Sequence, residues 1–217
     1  MRIATIIAFA LITMAAATPS RAEDYPSRAI TFIVGFPPGS SSDIFARGAG
    51  QRLSERLGKP VIIENKPGAG SIIAAQTLAR AVPDGHTIMV APSGTIAINP
   101  TLYKSLPYDP LKDFVAVGLL HKLPNVLIVN PSVPAQNLHE LIAYARSHPG
   151  KLTFASAGIG SVSHLAGELL KTAANIEMVH VPYRGGGAAL PDLLAGQVSM
   201  MLETIPNALP PVRSGLL

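Results

Sequence analysis

Ile30-Thr-Phe-Ile-Val34 leads without a break into Gly35-Phe-Pro-Pro-Gly-Ser-Ser-Ser-Asp43, after which Phe45, Ala49, Leu53 and Leu57 recur every four residues. An apolar run without alternation reads as a strand buried on both faces, and a four-residue recurrence reads as a helix. The Gly/Pro/Ser stretch between them is therefore a strand-to-helix loop. The pattern recurs along the chain. Apolar β-type runs are expected at Ile30–Val34, Val61–Ile63, Thr87–Val90, Val126–Val129, Leu152–Ala155, Met178–Val181 and Val198–Leu202. Further helical stripes fall between them. One is Leu138, Leu141, Ile142 and Ala145, opened by Asn137 with Glu140 three residues on, as in a capping box. Another is Val162, Leu165, Ala166, Leu169 and Ala173. Strands alternating with helices predict an α/β fold with parallel-rich sheets and covering helices.

The first 22 residues stand apart: Arg2, an apolar stretch from Ile3 to Ala17, then Ser20-Arg21-Ala22 with small residues where a signal peptidase reads. A signal peptide at 1–22, cleaved after Ala22, is the expectation. Without Arg2 and Arg21 the net charge falls from +4 to +2. No Lys/Arg cluster or aromatic platform remains, so nucleic acid is not an expected partner. The absence of cysteine excludes disulfides and thiolate sites, and suits a bacterial periplasm better than a disulfide-stapled secreted domain. Irregular sequence with Pro100, Pro107 and Pro110 precedes a Leu123-Pro124 break. The expected lobes are 23–122 and 123–217.

Three loops carry the candidate chemistry: Phe36 to Asp43, Lys66-Pro-Gly-Ala-Gly-Ser71, and Ser156-Ala-Gly-Ile-Gly-Ser161. Each is expected to end a strand and open a helix, where free N–H groups and the positive helix end favour an anion. One carboxylate is expected on the N–H groups at 38–41 and another part of the ligand at 156–161. Gly68-Ala-Gly70 begins like a dinucleotide fingerprint, but position 73 is Ile, and no phosphate-loop pattern exists. The six histidines show no metal-ligand spacing. No cofactor, metal or catalytic residue is assigned. His164, three residues after Ser161, is the one candidate base for a competing hydrolase or transferase reading.

The ordered set of short motifs resembles a known family. Val34-Gly-Phe-Pro-Pro-Gly-Ser-Ser-Ser-Asp-Ile-Phe-Ala-Arg47, Glu64-Asn-Lys-Pro-Gly-Ala-Gly70, Pro83-Asp-Gly85, Ile98-Asn-Pro100, Leu106 to Phe114, Phe154 to Ser161 with His164-Leu165, and Val181-Pro-Tyr-Arg-Gly-Gly186 follow one another in family order. The chain resembles the receptors of tripartite tricarboxylate transporters, the Bug proteins. That resemblance implies a two-lobed periplasmic receptor of the type II binding-protein kind, which closes on a small carboxylate and hands it to a membrane permease. The acid could be a dicarboxylate, a tricarboxylate such as citrate, an acidic amino acid or an aromatic acid. Backbone N–H groups, hydroxyls and ordered waters hold it. Matched residue by residue, the first lobe would offer Phe36, Pro38, Gly39, Ser40, Ser41, Asp43, Ala69, Ser93 and Thr95, and the second Ser156, Gly158, Gly160, Ser161, His164, Arg184 and Glu203. Ser40 stands where the family usually has Gly, and Glu203 where Asp is common. The sequence ends at Leu217 where the family continues, so the first lobe is expected to be incomplete, and a receptor fragment without function is a further reading.

Overall fold

A computed structural model describes residues 24–217. The signal-peptide reading of 1–22 lies outside the described residues.

Two sheets make two lobes. The first holds β1 (Ile30–Val34), β2 (Val61–Asn65) and β3 (Thr87–Val90) in the order β2-β1-β3, all parallel. The second holds β4 (Asn125–Val129), β5 (Thr153–Ser156), β6 (Val179–Pro182) and β7 (Met200–Thr204) in the order β4-β7-β5-β6. β5 is parallel to β6 and to β7, whereas β4 runs antiparallel to β7. The chain reaches β4 through residues 111–124, which form neither helix nor strand, so no helical crossover imposes a parallel entry. In that segment Leu111, Val115, Val117 and Leu119 are 74% to 91% exposed.

Helices α1 (Ser41–Leu57) and α2 (Ile72–Ala79) follow β1 and β2, and a short α3 (Asn99–Leu102) follows β3. In the second lobe lie α4 (Leu138–Ser147), α5 (Val162–Ala174), α6 (Gly186–Leu194) and α7 (Ile205–Arg213). Local chemistry sets their ends. The Ser40 hydroxyl accepts the Asp43 N–H at the start of α1, and Gly58, with φ +67°, closes it just before Pro60. At α4 the Asn137 side chain accepts the Glu140 N–H, as the sequence predicts, while Glu140 reaches back to the Gln136 N–H rather than that of Asn137.

The interior strands β1, β5 and β7 are largely buried, whereas β2 at a sheet edge exposes Ile62 and Glu64. Along β5 and β7, Phe154 and Met200 join one buried cluster with Leu141 and Ile176, and Ala155 and Met201 join another with Ile128 and Leu193. Ile30, Phe32, Val34, Ala46 and Val90 form the first lobe's core. The expected stripe on α5 is turned away from the sheet. Val162, Leu165 and Leu169 are exposed, and Ser163, Gly167 and Ala174 are buried. A Cβ on Gly167 would lie 2.2 Å from the Phe154 ring, so the sheet demands a small residue where apolar periodicity favours a large one.

Candidate functional site

The loop after β1 is held from within. Asp43 is 2% exposed. Its Oδ2 accepts the Gly39 N–H at 2.9 Å and Arg47 Nε at 2.9 Å. Its Oδ1 accepts Asn65 Nδ2 at 2.9 Å, and the same amide donates to Phe36 O. Burial pushes the Asp43 carboxyl upward, but the hydrogen bonds from Arg47, Gly39 and Asn65 together outweigh it and hold the carboxyl below its ordinary range. Most of the N–H groups expected to seat an anion at 38–41 are therefore taken. Pro38 has no N–H, that of Gly39 is spent on Asp43, and that of Ser40 on Pro37 O at 3.2 Å. The positive end of α1 already has its carboxylate. Ser41 points elsewhere: its Oγ meets Thr204 Oγ1 of the second lobe at 2.5 Å.

The loop after β5 uses neutral partners. Ser161 Oγ accepts the His164 N–H, Ser163 Oγ accepts that of Ala157, Ser156 Oγ that of Gly158, and His164 Nδ1 that of Gly160 at 3.4 Å. The first turn of α5 contains no acidic residue. Behind the loop Ser156 Oγ and His180 Nε2 are 2.6 Å apart, and the His180 ring stacks on those of His164 and Phe154. Burial, with His164 adding to it, lowers the His180 pKa. A serine beside an imidazole resembles a nucleophile and its base, yet Ser156 is 0% exposed. The pair braces the loop.

The third loop is the most contorted. Gly68, Ala69, Gly70 and Ser71 all have positive φ, a left-handed run in which Ala69 and Ser71 carry side chains. It forms one side of an interlobe cavity of about 240 Å³. Gly35, Phe36, Gly68–Ser71 and Tyr103 wall it from the first lobe, and Ala157–Ile159 with Pro182–Arg184 from the second. Tyr183 is pinned by a 2.7 Å bond from its hydroxyl to Asp192, which with burial pushes its pKa up to about 12. Beside the cavity the lobes meet through glycines. A Cβ on Gly70 would lie 2.7 Å from Ile159 O, one on Gly94 2.6 Å from Gly160 O, and one on Gly160 2.5 Å from Asn99 Oδ1.

Of the residues proposed from sequence, Phe36, Ala69, Gly158 and Arg184 line this cavity. Thr95 and Gly160 lie at the glycine seam, both buried. Ser40, Asp43, Ser156, Ser161 and His164 shape the loops, and Ser93 is exposed. Glu203 lies under Gly186, bonded to the N–H and hydroxyl of Thr204. Gly35, Ser71, Tyr103 and Tyr183 also line the cavity, beyond the residues carried over from the resemblance. Tyr183 and the left-handed run sit inside quoted motifs, whereas nothing local marks Tyr103. Among the described residues no cluster of His, Asp and Glu is arranged to hold a metal ion, and no helix is long and apolar enough to cross a membrane.

The sequence profile of the tripartite tricarboxylate transporter family receptor matches residues 45–217. The chain belongs to that family. Within this receptor family, Protein BugT of Bordetella pertussis is 39% identical over 99% of the chain and 66% of its own length. The chain thus spans about two thirds of that relative. Among solved structures, an R. palustris protein with adipate superposes with a TM-score of 0.86 at 36% identity, covering 89% of this chain and 64% of that one. MatC from Rhodopseudomonas palustris, with bound malate, gives 0.83 at 39% identity, covering 88% and 65%. Receptors of this kind are solute-binding proteins and not enzymes.

Proposed function

We propose that the chain is the ligand-binding part of a periplasmic receptor that captures a small carboxylate for a membrane permease. The observation that carries this is the interlobe cavity of about 240 Å³, walled by glycine-rich backbone from both lobes. A cavity of this size has room for a small acid. The malate and adipate bound by its structural relatives are acids of that size. Of the groups carried over from sequence, the ligand contacts we propose are Phe36, Ala69, Gly158 and Arg184 at the cavity wall. The lobes would divide at 122/123, and residues 1–22 would direct export.

The test is a thermal-shift titration with malate, adipate and other small acids. A ligand that binds only the folded state, at about a hundred times its Kd, should raise Tm by about 5–10 °C. A panel of carboxylates that leaves Tm unmoved, or turnover of simple esters above the buffer rate, would overturn the reading.

A further inference from the structure

The walls of the interlobe cavity carry one formal charge. Arg184 is the cationic residue that lines it, and no acidic residue does. Arg28, Arg47, Lys66, Lys112 and Lys171 each have a carboxylate oxygen within 3.0 Å. Arg184 is exposed and has neither an ion pair nor a side-chain hydrogen bond among the described residues. The backbone that carries it is fixed on both sides. A Cβ on Gly158 would lie 3.0 Å from Tyr183 O, and one on Gly185 would lie 3.2 Å from Pro37 Cδ of the first lobe. Gly185, with φ +129°, lets the turn come that close. The first-lobe wall offers a second uncommitted donor. The half-buried Tyr103 has no hydroxyl partner among the described residues, whereas Tyr183 spends its hydroxyl on Asp192 at 2.7 Å. The Ser71 hydroxyl, packed where a Cβ on Gly35 would lie 1.6 Å away, is shut off from the cavity.

We propose that Arg184 selects dianionic acids: its guanidinium pairs with the carboxylate that a diacid has and a monoacid lacks, and the Tyr103 hydroxyl donates to the same acid from the first lobe. The proposal rests on the receptor reading above, in which the loop at 156–161 meets one part of the acid. A guanidinium on the wall of a filled cavity loses water, and that loss is offset only by an acceptor. The chain supplies no carboxylate there, so the ligand must. A planar guanidinium matches a carboxylate with two parallel N–H···O bonds. A monoacid held at 156–161 would instead set a methyl group beside the charge. Because Arg184 stands on the second lobe and Tyr103 on the first, an acid that engages both also holds the lobes together.

Titration calorimetry of the full chain with matched acids tests this. Adipate is compared with hexanoate, and malate with 2-hydroxybutyrate, each pair differing by a carboxylate replaced by methyl. The wild type should bind a diacid about tenfold or more tightly than its partner. Arg184→Met keeps an apolar stem and removes the charge. It should weaken the diacid about ten- to a hundredfold, the range for hydrogen bonds to a charged group, and leave the monoacid within about twofold. Arg184→Lys, which keeps the charge without the fork, should fall between. Tyr103→Phe should weaken the diacid about three- to tenfold, and no loss would remove Tyr103 from the site. The ligand-free Tm of both Arg184 variants should match that of the wild type, since the side chain is exposed and unbonded. Equal losses on both acids of a pair, or none on the diacid, would overturn the role of Arg184. A wild type that binds a monoacid as tightly as its diacid would overturn it too and leave the receptor reading standing. A wild type that binds none of the four acids would overturn the receptor reading, and this inference with it.

Discussion

The loop that opens α1 and the loop that opens α5 are built alike and finished differently. Each follows an interior strand, and each has a serine whose hydroxyl accepts the N–H three residues on, Ser40 for Asp43 and Ser161 for His164. At α1 the helix end is answered by Asp43, a buried carboxylate that the chain supplies itself. At α5 the same kind of end is surrounded by serine hydroxyls and an imidazole. A hydroxyl that accepts from an N–H retains its own proton to donate, whereas a carboxylate has none. Two Gly/Ser loops that look equivalent as sequence therefore differ: one is held by a carboxylate of its own and the other by neutral partners. An acidic ligand should meet repulsion at the first and a positive helix end at the second.

The sharpest way to break this contrast is to finish the second loop like the first. Ser161→Asp keeps a good cap, so the fold should be preserved, but it places a negative charge where the ligand's is expected. Two like charges about 4 Å apart at an effective dielectric of about 20 repel by about 4 kcal/mol, so calorimetry should show affinity falling about a thousandfold. An unchanged affinity would mean that the ligand's charge lies elsewhere.

Asp43→Asn asks the opposite question of the first loop. It should reduce stability by about 1.5–3 kcal/mol, the range for charge-assisted hydrogen bonds, while affinity changes little. Denaturant unfolding would measure this. Since the folded pKa of Asp43 lies below its ordinary value, its contribution is complete above that value, near pH 4, and is lost as pH falls through the folded one. The variant should lack that part of the acid instability. An affinity loss larger than the stability loss would show that Asp43 touches the ligand.

Gly94→Ala tests whether the closeness of the two lobes matters to the second loop. Gly94 does not have a left-handed backbone, so alanine introduces no strain, but its Cβ would press on Gly160 O. Affinity should fall about tenfold, or about 1.4 kcal/mol, and the ligand-free Tm should fall too, because a backbone oxygen cannot move aside cheaply. Gly48→Ala, exposed in α1 with open space around it, should instead add about 0.5–1 kcal/mol of stability and leave binding alone. The smallest effect should come from His180 behind the second loop. Its folded pKa is depressed, so stability is level above the ordinary histidine value near 6.5 and declines as pH drops below it. His180→Asn should flatten that decline in thermal melts between pH 7 and about pH 5.

Strand and helix order was legible because it rests on local periodicity. Ile30–Val34 and Thr87–Val90 are strands at the expected residues. What the periodicity missed lies in contacts between distant residues. Leu165 and Leu169 are the most apolar choice for the buried face of α5, yet the Phe154 ring claims that space and leaves room only for Gly167. Asp43 reads equally as a cap or a ligand contact until Asn65, across the sheet from β1, is seen to hold it. Ser71 ends a loop that stands out in sequence, but its left-handed backbone does not, because a left-handed serine is indistinguishable in sequence from an ordinary helix cap.

The glycine seam bears on how quickly such a molecule could let go of what it holds. Gly70, Gly94 and Gly160 bring the lobes together with no side chain of their own. An interface of flexible side chains loses about 0.5–1.5 kcal/mol for each one it immobilises, and these three positions have none of their own to immobilise. Shutting is then cheap in entropy, but it also adds little grip. Residence time should follow the bonds made to the acid itself, so that a single hydroxyl more or less on the ligand is felt directly in the rate at which it leaves.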